Sequence, residues 1–233
     1  AMFVYALSPY VLTLGARISA LLLPFTGLPW MIGLTVRAVR ERDWLHPALF
    51  ALLVPTIGST NATALVLAGI GPLLWVVFAV AVLKESRVGQ AAAAVGRIGA
   101  LSVFTSLWWI AGLYCQGAFG IDVLRYTETA RTVAQASTAP EILRGIGYWF
   151  FYGDDKLGPW IEPSVSYTQS PLLIGASFLI AILGLVAAGV VRWRYRPYFV
   201  GLVTIGLVVG VGAYPWDGAP PFGRAVRAFL LSD

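Results

Sequence analysis

Long runs of apolar residues dominate the chain, and short charged clusters separate them. A run of about 20 apolar residues is long enough to cross a bilayer as a helix. By this measure the sequence predicts membrane spans at Ile18–Val36, Ile98–Ala118, Leu172–Val191 and Tyr198–Ala213. The pattern therefore predicts an all-α polytopic membrane protein.

The uncharged stretch Leu45–Leu83 is too long for a single crossing. The turn residues Gly58–Asn61 divide it into a short helix from Pro47 and a full span from Ala62. Residues 2–15 are apolar but short, and we interpret them as the end of a helix that begins upstream. The prediction is about six spans and a partial one.

The charged clusters orient these spans. Nine of the sixteen Lys and Arg residues lie in three clusters, at Arg37–Asp43, Lys84–Arg97 and Arg192–Arg196. Six of the eleven acidic residues lie instead in a polar, aromatic-rich loop at residues 120–170. Because basic loops stay in the cytoplasm, this loop and the tail at 215–233 are predicted to be extracytoplasmic. The expected location is the plasma membrane.

Composition and charge exclude several classes of protein. The chain is 58% hydrophobic and 12% charged, with a mean hydropathy of +0.79, which is unlike a soluble domain. Its net charge of +5 lies in short loops between spans, so we expect no nucleic-acid partner. Cys115 and His46 are each alone in the sequence, which argues against a soft metal site. We expect no metal and no cofactor.

Two features of the apolar runs have a structural and a functional explanation. Pro24, Pro29, Pro55 and Pro72 either line a substrate cavity as breaks in helices or produce simple kinks. Arg17 lies between apolar stretches near the outer surface. It either binds a ligand or extends its side chain to the lipid headgroups.

The loop at 120–170 carries the candidate chemistry. Aromatic rings stack on the apolar faces of sugars, and carboxylates accept protons from hydroxyl groups. The run Tyr148–Tyr152 alone is more typical of an aromatic belt at the membrane interface. Such a belt needs no acids, so the following group favours a function: Asp154, Asp155, Lys156, Trp160 and Glu162.

Three segments of the chain resemble the arabinofuranosyltransferase D family of the mycobacterial cell envelope. They are Gly147–Ser164 (GYWFFYGDDKLGPWIEPS), Ala16–Pro24 (ARISALLLP) and Val211–Asp217 (VGAYPWD). The resemblance implies a GT-C glycosyltransferase fold, with an active site on the outer face of a helical membrane domain. It also implies alpha-(1→3)-arabinofuranosyl transfer from decaprenyl-phosphate arabinofuranose to the arabinan of arabinogalactan or lipoarabinomannan.

The chain departs from that family in two ways. Family members are several times longer, with carbohydrate-binding modules downstream of the membrane domain. GT-C enzymes also place an essential acid in their first outer loop, which would precede residue 1. We therefore expect residues 1–233 to be part of one membrane domain in a longer polypeptide, and to be inactive alone.

Residue types and resemblance together assign candidate roles. The donor phosphate needs cations near the outer surface, and the candidates are Arg17, Arg125 and Lys156. The rings of Trp149 and Trp160 would shape the sugar site. The acceptor hydroxyl needs a base, for which we rank Glu128 before Asp154 and Asp155. We interpret Arg131, Arg144 and Glu141 as solvated or structural.

Two other functions remain compatible with the sequence. One is a transporter or flippase of lipid-linked sugars, but the predicted spans hold no ionisable residues, which disfavours ion-coupled transport. The other is a non-catalytic membrane scaffold whose loop binds glycan.

Overall fold

A computed structural model describes residues 5–16, 18–59, 61–121 and 128–231. Its regular structure is almost entirely helical, as the apolar runs predict. The described residues form two compact units. We call residues 19–59 and 61–121 the four-helix unit, and residues 5–16, 18 and 128–231 the loop unit.

The four-helix unit holds four apolar helices. A 3-10 turn at Ser19–Leu22 leads into α2 (Leu23–Glu41), followed by α3 (Leu45–Gly58), α4 (Ala62–Ala81) and α5 (Val88–Phe119). Helix α2 packs against α3 and α4, and α3 packs along α5. The core between them is formed by Met31, Phe50, Val54 and Ile57.

The prolines of this unit lie in helices that continue past them. Pro24 lies in the first turn of α2, where its missing N–H is not needed. Pro29, Pro55 and Pro72 lie inside α2, α3 and α4. The described helices continue through these residues, and a cavity of about 280 Å³ in this unit is lined by Pro72. Kinks and a substrate cavity therefore both stay predictions.

Helix α5 begins earlier than predicted, at Val88 rather than at Ile98. The Ala-rich residues at its start favour a helix. Arg97 lies inside this helix, and its guanidinium donates hydrogen bonds to the carbonyls of Arg42 at 2.9 Å and Asp43 at 3.1 Å. A residue that we assigned to a basic loop thus joins the start of α5 to the end of α2.

The loop unit contains shorter elements around two apolar helices. Its helices are α1 (Pro9–Gly15), α6 (Ala130–Ala136), α7 (Ala139–Leu143), α8 (Glu162–Gln169), α9 (Pro171–Val190), α10 (Arg196–Val211) and α11 (Pro221–Leu230). Between α7 and α8 lie a 3-10 turn at Trp149–Tyr152 and an antiparallel hairpin of β1 (Asp154–Asp155) and β2 (Gly158–Pro159).

Side-chain caps start the short helices of this unit. Thr129 and Thr138 accept backbone N–H groups at the starts of α6 and α7. The Ser8 hydroxyl accepts the Val11 N–H at the start of α1, where Pro9 occupies the first turn. The described part of residues 2–15 is therefore interrupted at Ser8, and its interpretation as one helix end is wrong there.

Helix α11 is amphipathic, which the sequence analysis missed. We treated 215–233 as a polar tail, but Arg224 and Arg227 share it with exposed Phe222, Phe229 and Leu230 in a ten-residue helix. In so short a segment, an alternation of apolar and charged residues is easily mistaken for the composition of a loop.

Six apolar helices match the predicted number of spans. Among the described residues, four are long and apolar enough to cross a membrane: Ser19–Glu41, Ala62–Ala81, Val88–Phe119 and Pro171–Val190. Leu45–Gly58 and Arg196–Val211 are shorter and also apolar. These lengths confirm the prediction of a helical, multi-pass membrane protein.

Candidate functional site

The chain reverses direction sharply in the polar loop. Within the hairpin, Asp155 Oδ1 accepts the Leu157 N–H at 2.7 Å. Gly158 has a φ of +116°, which residues with side chains rarely adopt. After the reversal, the Trp160 N–H donates to the Gly153 carbonyl at 3.0 Å. The hairpin thus returns Trp160 to the end of the aromatic run.

This reversal forms an aromatic pocket. The rings of Trp149 and Trp160 meet edge to face, with centroids 5.6 Å apart and planes at 85°. Trp160 also lies directly against Gly153, where a Cβ would overlap its ring. The pocket has a volume of about 310 Å³ and is lined by Thr132, Gln135, Ala136, Trp149, Tyr152, Gly153 and Trp160.

Polar groups of α6 and the 3-10 turn border the same pocket. The Thr132 hydroxyl lies 2.9 Å from the Thr129 hydroxyl. The Tyr152 hydroxyl donates to Glu141 Oε2 at 2.6 Å. Burial, this hydrogen bond and the Glu141 charge raise the pKa of Tyr152, so its phenol stays protonated. The Gln135 amide makes no hydrogen bond to any residue that the structure describes.

The arrangement suits a small, polar ligand with apolar faces. Two indole rings offer flat apolar surface, while Gln135 and Thr132 offer donors and acceptors at the edge. Ligand pockets begin at about 300 Å³, and this one is of that size. The predicted pair Trp149 and Trp160 is thus brought together in one pocket. Its binding of a sugar stays a prediction.

Glu128 lies beside the aromatic run. It is exposed and precedes Thr129, the cap of α6. The pKa of Tyr148 is raised first by burial and next by the negative charge of Glu128. The carboxylate is therefore close enough to influence the first ring of the run. Thr132, four residues further along, already lines the pocket.

The other predicted carboxylates lie in the hairpin, outside the pocket lining. Asp154, Asp155 and Lys156 are exposed, and the pocket is lined by none of them. Asp155 stabilises the turn through its hydrogen bond from Leu157. This contact gives Asp155 a structural role that spacing in the sequence did not indicate.

Two predicted phosphate ligands lie outside the described residues. These are Arg17 and Arg125. Their role in binding the donor phosphate, like that of Lys156, stays a prediction.

Arg144 is a buried structural residue. Its side chain donates to Ser177 Oγ at 2.8 Å, to Glu141 Oε1 at 2.6 Å and to the Tyr167 carbonyl at 2.5 Å. Its guanidinium also lies 5.0 Å from the centre of the Phe178 ring. We call Arg144 with these four partners the arginine node, which joins α7 to α8 and α9. Of the two interpretations left open for Arg144, the structure supports the structural one.

Arg131 has a weaker environment. It forms an ion pair with Asp217 at 2.7 Å, and both side chains are more than half exposed. Exposed pairs of this kind contribute about 0–1 kcal/mol. The structure therefore supports the interpretation of Arg131 as a solvated residue.

One group of side chains in the four-helix unit has the composition of a metal site. Glu41, Asp43 and His46 offer ligand atoms within 4.8 Å of one another. Asp43 also accepts the His46 backbone N–H at 3.3 Å, and its other oxygen lies 2.9 Å from His46 Nδ1. These contacts already explain the group as a stabilised helix start, and the absence of a metal stays a prediction.

Sequence reasoning missed the three polar residues of the pocket lining, which are Thr132, Gln135 and Tyr152. Thr132 and Gln135 are three residues apart, so they share one face of α6, and this spacing was a usable signal. Their meeting with rings from the 3-10 turn depends on the loop fold, which spacing does not reveal.

Comparison with known proteins gives the same family as the resemblance. The model of the family described as "Alpha-(1->3)-arabinofuranosyltransferase, N-terminal GT-C domain" matches residues 1–233. The chain belongs to this family. Two similar proteins are both named alpha-(1->3)-arabinofuranosyltransferase. One, from Mycolicibacterium smegmatis, is 27% identical over 97% of the chain, and one, from Mycobacterium tuberculosis, is 26% identical over 97%.

These relatives are much longer than the chain. It spans 15% of the M. smegmatis protein and 16% of the M. tuberculosis protein. No solved structure matches the chain. Family membership supports a GT-C-like helical membrane domain, and the aromatic pocket lies in its polar loop.

Proposed function

We propose that this chain is part of a membrane arabinofuranosyltransferase. It would transfer arabinofuranose from decaprenyl-phosphate arabinofuranose to the arabinan of arabinogalactan or lipoarabinomannan. The aromatic pocket carries the proposal, because it joins two indole rings to an amide and a hydroxyl in the loop of a chain from this family. The rest of a longer polypeptide would complete the active site.

The proposed orientation follows the distribution of charge. Nine of the sixteen basic residues lie in three clusters between the apolar helices, and the polar loop carries six of the eleven acids. With positive residues inside, Arg40, Arg87 and Arg194 are cytoplasmic and Asp155 is extracytoplasmic. The pocket then lies on the outer face of the plasma membrane, where acceptor arabinan is found.

The transfer needs a base and a cationic site around the sugar. The acceptor hydroxyl oxygen forms a bond to the anomeric carbon, and the bond from that carbon to the lipid phosphate breaks. The carboxylate of Glu128 takes the hydroxyl proton. The phosphate leaves with the electron pair, and the positive charges of Arg17, Arg125 and Lys156 stabilise it.

In this scheme the pocket positions a sugar next to Glu128. Trp149 and Trp160 contact its apolar faces, and the Gln135 amide and Thr132 hydroxyl bind its hydroxyl groups. Gln135 is the sharpest test, because its amide makes no hydrogen bond to the described residues and its loss should leave the fold intact.

The experiment compares two glutamine variants of the full-length protein. Gln135→Ala should raise the KM for arabinan acceptor about three- to tenfold, the value of one or two neutral hydrogen bonds. Gln169→Ala is the matched control, since Gln169 is exposed on α8 and does not line the pocket. Equal kinetics for both variants would contradict the assignment of the pocket. If the protein is instead a glycan-binding scaffold, Gln135→Ala should lower its affinity for arabinan. In that case neither the parent protein nor any variant should transfer arabinose.

A further inference from the structure

A second cavity lies between α9 and α10, and Leu143 of α7 also lines it. Its volume is about 730 Å³, and apolar side chains form nearly all of its wall. Small residues of α9, among them Gly184 and Ala188, form one side. Larger residues of α10, among them Phe199 and Val203, form the other. We call this cavity the α9–α10 groove.

The length of the groove is close to the thickness of one leaflet of the bilayer. Its lining runs from Ile180 on α9 to Val191, the residue that follows the end of the helix. At 1.5 Å per helical residue this stretch is about 17 Å long. The hydrocarbon core of a bilayer is about 30 Å thick, so the groove covers roughly half of it. A groove of this length fits an acyl chain from a single leaflet.

One end of the groove is cationic and aromatic. Arg196 and Trp193 line it there, and Trp193 stacks on Phe199 with ring centres 5.0 Å apart. Arg196 is half-buried and forms no ion pair with the residues that the structure describes. The sequence also has no acid between Glu162 and Asp217 that could neutralise it.

We propose that the α9–α10 groove binds a phospholipid of net negative charge from the surrounding membrane, with one acyl chain in the groove and its headgroup phosphate on Arg196. The lipid supplies both apolar contact and the negative charge that the arginine lacks. A purely apolar transmembrane helix in the same place would cover the apolar wall and leave Arg196 without a counter-charge. Arginine also matches the geometry of a phosphate.

This lipid site is separate from the aromatic pocket. Helix α9 begins at Pro171, next to the polar loop, and ends at Val190, next to the arginines. Its 20 residues place the two ends about 30 Å apart. In the proposed orientation the phospholipid lies in the cytoplasmic leaflet, and the sugar is bound on the outer face.

The test uses the full-length protein in nanodiscs of phosphatidylcholine. One sample carries phosphatidylglycerol with a diazirine in its acyl chain, and a second carries phosphatidylcholine with the same diazirine chain. After illumination, labelled peptides are mapped by mass spectrometry. We expect the phosphatidylglycerol probe to label 180–191 and 199–204 more strongly than the phosphatidylcholine probe.

Two pairs of variants separate chain binding from charge. Gly184→Phe should fill the groove and remove most of this labelling, whereas Gly175→Phe, on the same helix outside the groove, should not; both glycines have open space around a Cβ. Arg196→Gln should lower phosphatidylglycerol labelling about tenfold, the value of one charged hydrogen bond. Arg192→Gln, outside the lining, should leave it unchanged.

Three results would overturn the proposal. The first is labelling that avoids both stretches, as expected if another helix of the longer protein fills the groove. The second is equal labelling by the two probes. The third is labelling that survives Gly184→Phe in a protein that still melts at the parent temperature.

Discussion

The polar loop contains two groups of side chains that look alike in sequence and behave differently in the structure. In the arginine node, Arg144 donates hydrogen bonds to Ser177, Glu141 and Tyr167, and Arg144 is 5% exposed. In the aromatic pocket, Trp149 and Trp160 border open space, and Gln135 has no hydrogen bond to the described residues. The two groups are joined by Tyr152, which lines the pocket and bonds Glu141.

The comparison shows that residue type alone does not separate stability from binding. Arg144 and Glu141 are charged residues in or beside the polar loop, which is where a phosphate or sugar ligand would be sought. Their hydrogen-bonding capacity is already used inside the protein, so they hold the pocket in place. Gln135 is exposed and has no hydrogen bond to the described residues, so a ligand can bind its amide without displacing a protein contact.

The largest effect should come from removing the cation of the arginine node. Arg144→Met leaves the Glu141 carboxylate without its cation and the Tyr167 carbonyl without its side-chain donor, which should cost about 3–5 kcal/mol of unfolding free energy. Thermal unfolding of the full-length protein in detergent measures it. Arg131→Met is the matched control, since the exposed pair with Asp217 should cost less than about 1 kcal/mol. If both variants lose a similar amount of stability, the buried arginine node is no more important to stability than an exposed ion pair.

Next in size is the loss of the proposed base. Glu128→Gln should lower arabinosyl transfer at least about 100-fold, the low end for a general base, without changing thermal unfolding. The rate of transfer by the full-length protein measures it. If Glu128→Gln, Asp154→Asn and Asp155→Asn all transfer at the parent rate after correct insertion, the base lies outside this chain.

A smaller effect is expected from the pocket wall. Trp160→Ala removes the ring that meets Trp149, and we expect about a tenfold rise in the KM for acceptor, equivalent to about 1.4 kcal/mol. Trp30→Ala is the control, because Trp30 is 69% exposed on α2. A KM that changes as much for Trp30→Ala as for Trp160→Ala would show a general effect of losing a tryptophan.

The smallest effect should come from the hairpin acid. Asp155→Asn keeps an oxygen that can accept the Leu157 N–H, so we expect a change in transfer of no more than about twofold. A rate assay beside Glu128→Gln measures the difference. A loss from Asp155→Asn as large as that from Glu128→Gln would give this carboxylate a chemical role and reverse the ranking.

Much of the fold follows from the sequence, because length and hydropathy alone define a membrane helix. The exception at α5 shows the limit: Arg97 marks a loop in a hydropathy profile, yet in the fold it bonds the carbonyls of Arg42 and Asp43 inside a helix. Long-range partners of this kind are not encoded in local spacing.

The site was less predictable for the same reason. Trp149 and Trp160 were identifiable by type and proximity. Gln135 became a candidate only when α6 was placed against the aromatic run, and Arg144 was identified as structural only by its contacts with Tyr167 and Ser177.

Binding of a sugar in the aromatic pocket can be observed in a cryo-electron-microscopy map of the full-length protein with an arabinofuranose oligosaccharide. We expect sugar density against the rings of Trp149 and Trp160, within hydrogen-bonding distance of Gln135. A map that shows the oligosaccharide bound elsewhere, with the same pocket formed and empty, would contradict it.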